Sequence, residues 1–155
     1  LEIQLYDRDL FMSHHASASM GHALATGLGA SLAHPDVPVW ILVGDGSLLM
    51  SLNDLSDVGA SSSNINVLLL DNNQYLTENM RRQSILHSTP SVNWEALAGS
   101  LGFSFFRDVS RSQELHDAIV SSKAITGPSF VHIKLEDGNL PLNVQSSFMP
   151  AFMQS

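Results

Sequence analysis

Apolar residues run unbroken from Val37 to Val43 apart from Pro38, and again from Val67 to Leu70. A third run, Phe130 to Ile133, is interrupted only by His132. Short apolar runs of this kind, without polar alternation, suit strands covered on both faces, the habit of a parallel sheet. Strands are expected at 39–43, 66–70 and 129–134, with shorter ones at 103–106 and at Leu10-Phe11-Met12. Between them, apolar residues recur at helical spacing. From Met20 to Ala33, Leu24, Leu28 and Leu32 form one stripe and Gly21, Ala25 and Gly29 another. Glycine costs ~1 kcal/mol inside a helix, so this glycine stripe predicts close packing on a sheet or a ligand. Pro35 and Pro38 end the helix. Leu48, Leu52, Leu55 and Val58 mark a second helix, closed by Gly59. Trp94, Leu97 and Leu101 mark a third, stopped by Gly102, and Leu115, Ile119 and Val120 a fourth. Gly127-Pro128 then turns the chain into its last strand. Strands alternating with helices predict an α/β fold, a three-layer doubly wound parallel sheet in a single domain. That domain is expected over 1–140, with 141–155, which holds Pro141 and Pro150, as a C-terminal tail.

Composition narrows the function classes. A chain of 155 residues, 44% hydrophobic, can bury an ordinary core. Its net charge of −8, with only seven Lys and Arg, offers no basic stripe for nucleic acid or an anionic membrane. Absence of cysteine removes disulfides and thiolate metal sites and suits a reducing, cytoplasmic setting. No apolar run approaches the roughly 20 residues of a membrane span.

The candidate chemistry sits at the ends of two strands. Gly44-Asp45-Gly46-Ser47 directly follows the first apolar run, and Asp71-Asn72-Asn73 directly follows the second, with an amphipathic segment between. A lone Gly-Asp-Gly or Asn-Asn is ordinarily only a turn; the joint pattern carries the signal. A carboxylate and a carboxamide at the carboxyl edge of a parallel sheet suit a hard divalent cation bridging a diphosphate. Asp45, the amide of Asn72 or Asn73 and, for Asn72, the backbone carbonyl two residues on at Gln74 are the candidate metal ligands. Gly44 and Gly46 would let the backbone approach phosphate oxygens. Ser47 and the helix start behind it would offer a hydroxyl and N–H groups.

This Gly-Asp-Gly, with Asn-Asn at this separation, resembles the signature of the thiamine diphosphate enzymes. The resemblance to their diphosphate-binding half runs from about Asp9 to Glu136. It implies thiamine diphosphate and Mg²⁺ as cofactors, with Asp45, Asn72 and Gln74 on the metal. A register slipped by one would give the role of Asn72 to Asn73. Tyr75 matches a tyrosine three positions beyond the metal amide. Met20, in Ser19-Met20-Gly21, matches the bulky residue beneath the bend of the cofactor, which places Ala18 and Ser19 at the aminopyrimidine edge. His14 and His15, in the preceding loop, are the acid–base candidates. Arg81 and Arg82 are weaker candidates for gripping an anionic substrate tail or the partner subunit, Glu78 is a weaker candidate for a proton transfer, and the other histidines show no metal-ligand spacing.

The family also requires a glutamate from a pyrimidine-binding domain. Glu2, Glu78, Glu95, Glu114 and Glu136 all fall in the wrong context for it. The resemblance therefore implies a partner chain carrying that domain, hence a hetero-oligomer. Within the family the chain is most similar to the β subunit of sulfopyruvate decarboxylase and the matching half of phosphonopyruvate decarboxylase. The supporting residues are Ser19-Met20-Gly21-His22-Ala23, Ala30-Ser31-Leu32-Ala33, Leu70-Asp71-Asn72 and Gly127-Pro128. It departs at Leu76-Thr77-Glu78-Asn79, where relatives often carry Gly-Ser-Thr-Gly, and at His14-His15. The expected function is the diphosphate-binding subunit of a split 2-oxo acid decarboxylase. Alternatives are an acetolactate synthase-like carboligase subunit and a non-catalytic cofactor-binding module.

Overall fold

The computed structural model describes residues 11–13, 19–76 and 87–135. Four strands form one sheet: β1 (Val39–Gly44), β2 (Ile65–Asp71), β3 (Phe105–Val109) and β4 (Ser129–Lys134). All neighbours are parallel, in the order β1-β2-β4-β3. The helices are α1 (Ala23–Ala33), α2 (Asp45–Leu49), α3 (Leu52–Ala60), α4 (Trp94–Leu101) and α5 (Ser112–Lys123).

Side chains alternate across each strand, so the sheet feeds two cores. Ile41, Val43, Val67, Leu69 and Phe130 pack with Leu24 of α1, Leu55 and Val58 of α3, and Trp94 of α4. Leu68, Val109, Val131 and Ile133 pack on the opposite face, against Ala118 of α5. Helices thus cover both faces, giving the expected three-layer α/β fold. β2 and β4 are central and buried at almost every position, which is why their sequences are nearly continuous apolar runs. Phe130 anchors the larger core, with its ring centroid 6.2 Å from Trp94, 5.9 Å from Phe106 and 5.4 Å from Phe103. Its full burial contributes about 1.5–3 kcal/mol.

Several expectations need correction. Phe11 and Met12 are exposed and belong to no strand, while Leu10 lies outside the described residues. The first helix starts at Ala23 rather than Met20, because Gly21 has φ +83°, a left-handed conformation that a helix cannot include. The small residue that meets the sheet is Gly27, where a methyl group would run into Ile41; Gly29 has open space and Ala25 is exposed. Leu32 is 72% exposed, because a step of about 100° per residue turns it roughly 80° away from Leu24. The helix expected over 48–58 is two helices. Ser51 Oγ donates to the carbonyls of Ser47 and Leu48 at the break, and α3 continues through Gly59 to Ala60. β3 starts two residues later than expected and reaches Val109. The tail at 141–155 lies outside the described residues.

Candidate functional site

The ends of β1 and β2 are neighbours, with Gly44 opposite Leu70 in the register, so Asp45 and Asp71 leave the sheet at the same edge. Gly44 is still extended, and Asp45 opens α2 with its side chain buried, 2% exposed. Its Oδ2 accepts a hydrogen bond from Thr89 Oγ1 at 2.6 Å. Burial holds the Asp45 carboxyl above the ordinary carboxylate value. The Thr89 bond offsets part of that effect, and the nearby Asp71 charge adds to it. A buried carboxylate beside a second carboxylate, partnered by a hydroxyl, is an electrostatic demand for a cation.

Gly46 carries the ring of Tyr75 against its backbone. A Cβ there would lie 2.5 Å from Tyr75 Cε1 and 3.3 Å from Met20 Cε. Met20, itself 45% exposed, therefore reaches the same glycine from the loop before α1. The Gly21 N–H donates to Ser47 Oγ at 2.9 Å, tying that loop to the turn after β1.

After β2 the backbone folds through two successive side-chain turns. Asp71 Oδ1 accepts from the Asn73 N–H at 3.0 Å, and Asn72 Oδ1 from the Gln74 N–H at 3.3 Å. Asn73 takes φ +55°, a region asparagine tolerates better than most side-chain-bearing residues. The chain then meets its own continuation: Gln74 forms an antiparallel bridge with Ser88. The Tyr75 N–H donates to the His87 carbonyl at 2.7 Å, and the Thr89 N–H to the Asn73 carbonyl at 3.0 Å. This neck delivers Thr89 to Asp45.

The sequence-predicted residues Met20, Gly44, Asp45, Gly46, Ser47 and Tyr75 are thus linked by direct contacts or by one turn. Asn72 and Gln74 lie on the turn that Thr89 ties to Asp45. Ser19 is exposed, and its carbonyl accepts from His22 Nδ1 at 2.6 Å. His14, His15, Ala18, Glu78, Arg81 and Arg82 lie outside the described residues. Thr89 was not legible as a site residue: it sits in a polar stretch without periodicity, 44 positions from its partner. Asp71 signalled itself only as a carboxylate ending an apolar run. Among the described residues, no three His, Cys, Asp or Glu side chains cluster as a metal site. A centre made from one carboxylate, an amide and a backbone carbonyl would not register as such a cluster.

Comparison with known proteins settles the family. The family described as thiamine pyrophosphate enzyme, C-terminal TPP binding domain, matches residues 3–133. The chain belongs to this family. This thiamine pyrophosphate enzyme domain is 34% identical to a phosphonopyruvate decarboxylase of Streptomyces viridochromogenes over 88% of the chain and 33% of that protein. It is also 34% identical to sulfopyruvate decarboxylase subunit beta of Methanothermobacter thermautotrophicus, over 91% of the chain and 72% of the subunit. The domain therefore spans about a third of the Streptomyces relative and most of the Methanothermobacter one. Among solved structures, a Rhodococcus jostii thiamine diphosphate-dependent 4-hydroxybenzoylformate decarboxylase superposes with a TM-score of 0.68. That match covers 79% of this chain and 24% of the other at 22% identity, and shows the shared fold. No helix among the described residues is long and apolar enough to cross a membrane.

Proposed function

We propose that this domain is the diphosphate-binding subunit of a thiamine diphosphate-dependent 2-oxo acid decarboxylase, completed by a partner chain that carries the pyrimidine-binding domain. The observation that carries this reading is the buried Asp45 carboxylate, set beside Asp71 at the carboxyl edge of the sheet and bonded by the Thr89 hydroxyl. Mg²⁺ takes near-octahedral oxygen ligation, commonly one or two carboxylates plus phosphate oxygens. Asp45, the Asn72 amide oxygen and the Gln74 carbonyl would hold it. The bond from the Gln74 N–H uses one lone pair of Asn72 Oδ1 and leaves another for a metal. Asn72 suits this role better than Asn73, which is exposed and occupied in forming the turn.

Gly44, Gly46 and Ser47 would face the diphosphate, and Met20 and Tyr75, both against Gly46, would support the cofactor rings. Ala18 and Ser19 would line the aminopyrimidine edge. When bound, thiamine diphosphate supplies the electron sink that lets a 2-oxo acid lose carbon dioxide. His14 and His15 are the proposed proton carriers to and from the substrate. The relatives named phosphonopyruvate decarboxylase and sulfopyruvate decarboxylase subunit beta support a short 2-oxo acid with an anionic tail. The word subunit in the second name supports a separate partner, which would bring the activating glutamate.

Native mass spectrometry of the protein purified from its source, with Mg²⁺ and thiamine diphosphate present, tests this. The expected result is a complex with a second polypeptide plus the masses of cofactor and metal, and loss of both small masses in Asp45→Ala. Retention of metal and cofactor by Asp45→Ala, or a parent without either, would sink the reading.

A further inference from the structure

Three adjacent strands carry a hydrogen-bonded polar array that the function described so far does not use. β2, β4 and β3 carry Asp71, His132 and Asp108 on the face covered by α4. His132 stands directly opposite Asp108, and Asp71 is diagonal to it, opposite Lys134. His132 is 6% exposed. Its Nε2 lies 2.8 Å from Asp71 Oδ2 and its Nδ1 lies 2.6 Å from Asp108 Oδ1. Each nitrogen faces a carboxylate oxygen, an acceptor, so each is placed to donate. Lys134 Nζ donates to the other oxygen of Asp108 at 2.5 Å, which holds the far end of the array. Trp94 Nε1 donates to Asp71 Oδ2 at 3.0 Å, beside the Nε2 bond.

These contacts fix the plane of the Asp71 carboxylate. With Oδ2 held by two rings, Oδ1 is aimed at the Asn73 N–H, which it accepts at 3.0 Å. That bond, together with the Thr89 N–H on the Asn73 carbonyl, holds Asn73 at φ +55°, a conformation open to asparagine. Asn72 lies between the two ends of this bond, and Gln74 follows it. The direction of both oxygen donors is thereby set from the array.

We propose that His132 is a positioning residue for the metal-binding turn, holding Asn72 and Gln74 in place through Asp71. This inference rests on the metal reading above. It concerns orientation, because His132 contacts the Asp71 carboxylate rather than any proposed ligand. A cleft of about 400 Å³ borders Asp71, Trp94, Asp108, His132 and Lys134, so a shortened side chain leaves space open to water rather than a dry void.

Two amide substitutions separate the two arms of the ring. His132→Gln keeps a donor near the position of Nε2, within reach of Asp71. His132→Asn keeps one near Nδ1, toward Asp108, and withdraws it from Asp71. The protein, with its partner and thiamine diphosphate, is titrated with Mn²⁺ as a paramagnetic probe, and free Mn²⁺ is read by electron paramagnetic resonance. Amide exchange at Asn73 is measured by NMR on the metal-free protein. Outer-shell partners of a metal site typically contribute about 10–100-fold in affinity. His132→Asn is therefore expected to weaken Mn²⁺ binding by about tenfold or more and to speed exchange at Asn73. His132→Gln should stay close to the parent in both. Equal losses in the two variants, or unchanged Mn²⁺ binding in His132→Asn, would overturn the assignment. A parent that takes up no Mn²⁺ would instead overturn the metal reading and this role with it. Fast exchange at Asn73 in the parent itself would overturn the brace without recourse to any variant.

Discussion

Replacing Gly46 by alanine isolates the contact on which the site is assembled. The added Cβ would stand 2.5 and 2.6 Å from two carbons of the Tyr75 ring and 3.3 Å from Met20 Cε. Carbon atoms prefer separations of about 3.5–4.0 Å, so the ring must retreat by roughly 1 Å. Tyr75 cannot move alone, because its N–H is bonded to the His87 carbonyl at 2.7 Å and the neighbouring Gln74 is bridged to Ser88. The displacement is passed to the turn at Asn72–Gln74. Overpacking of this kind costs about 1–3 kcal/mol, and alanine in place of helical glycine returns up to about 1 kcal/mol. The expected net loss is therefore about 0–3 kcal/mol, a fall in Tm of up to about 10 °C for a chain of this length. Mg²⁺ affinity in the presence of thiamine diphosphate should fall further, by about tenfold or more, since the proposed ligands Asn72 and Gln74 lie on that turn. Gly29→Ala is the control: the same exchange inside α1, with nothing within 4 Å of the new Cβ. It should be neutral or up to about 1 kcal/mol stabilising, with binding unchanged. Urea unfolding and isothermal titration calorimetry on both variants decide the matter. Indistinguishable behaviour of the two, or a Gly46→Ala protein that binds Mg²⁺ like the parent, would show that Tyr75 is not seated on Gly46.

Two further predictions concern the carboxylates. Thr89→Val keeps the shape of the residue but removes the donor to Asp45 Oδ2, a bond to a charged group typically contributing about 1.5–3 kcal/mol. Burial already raises the Asp45 carboxyl in the folded state, so stability present below its unfolded value is lost as pH rises through the folded one. Thr89→Val raises it further, and the metal-free variant should lose more stability than the parent between acid and neutral pH; parallel urea-midpoint profiles would refute this. At Asp108, burial pushes the carboxyl up, but the bonds and charges of Lys134 and His132 outweigh it and hold it below the ordinary value. Stability from a depressed carboxyl is present above its unfolded value and lost as pH falls through the folded one. Asp108→Asn should therefore flatten the acid limb of the Tm-against-pH curve below about pH 4, and an unchanged limb would count against the ion pairs.

The central strands β2 and β4 were legible because burial on both faces leaves mostly apolar runs, and the edge strand β1 because 39–43 is apolar throughout even though Leu42 is exposed; 39–43, 66–70 and 129–134 all fall inside β1, β2 and β4. α4 was legible from Trp94 to Leu101, and its ends have local causes. Asn93 accepts the Ala96 N–H at 3.0 Å at the start, and Gly102 closes it at φ +92°. The two strand-end motifs were legible for the same reason, as polar residues abruptly ending apolar runs. What local pattern does not encode is the sheet order. Nothing near Ser129–Lys134 says that β4 inserts between β2 and β3. That insertion decides which residues meet: it puts His132 between Asp71 and Asp108, which are 61 and 24 positions away in sequence. A histidine without metal-ligand spacing gave no hint of either partner. The break between α2 and α3 was missed because its cause, a serine hydroxyl turned back on the helix carbonyls, leaves the apolar periodicity intact.

The neck at Gln74 and Ser88 has a consequence for how such a protein can diversify. Backbone bonds at 73–75 and 87–89 fasten the two ends of the intervening stretch to each other, and the Thr89 hydroxyl ties them to Asp45. Ring closure is already accomplished at the neck, so inserting residues into 77–86 raises the entropy of closure only logarithmically with length. The stretch can be shortened, extended or exchanged while the residues that hold the neck stay in register. Leu76-Thr77-Glu78-Asn79 opens that stretch in the sequence. An engineer exchanging 77–86 between homologues would keep 73–75 and 87–89 as its fixed ends, and with them the bond to Asp45.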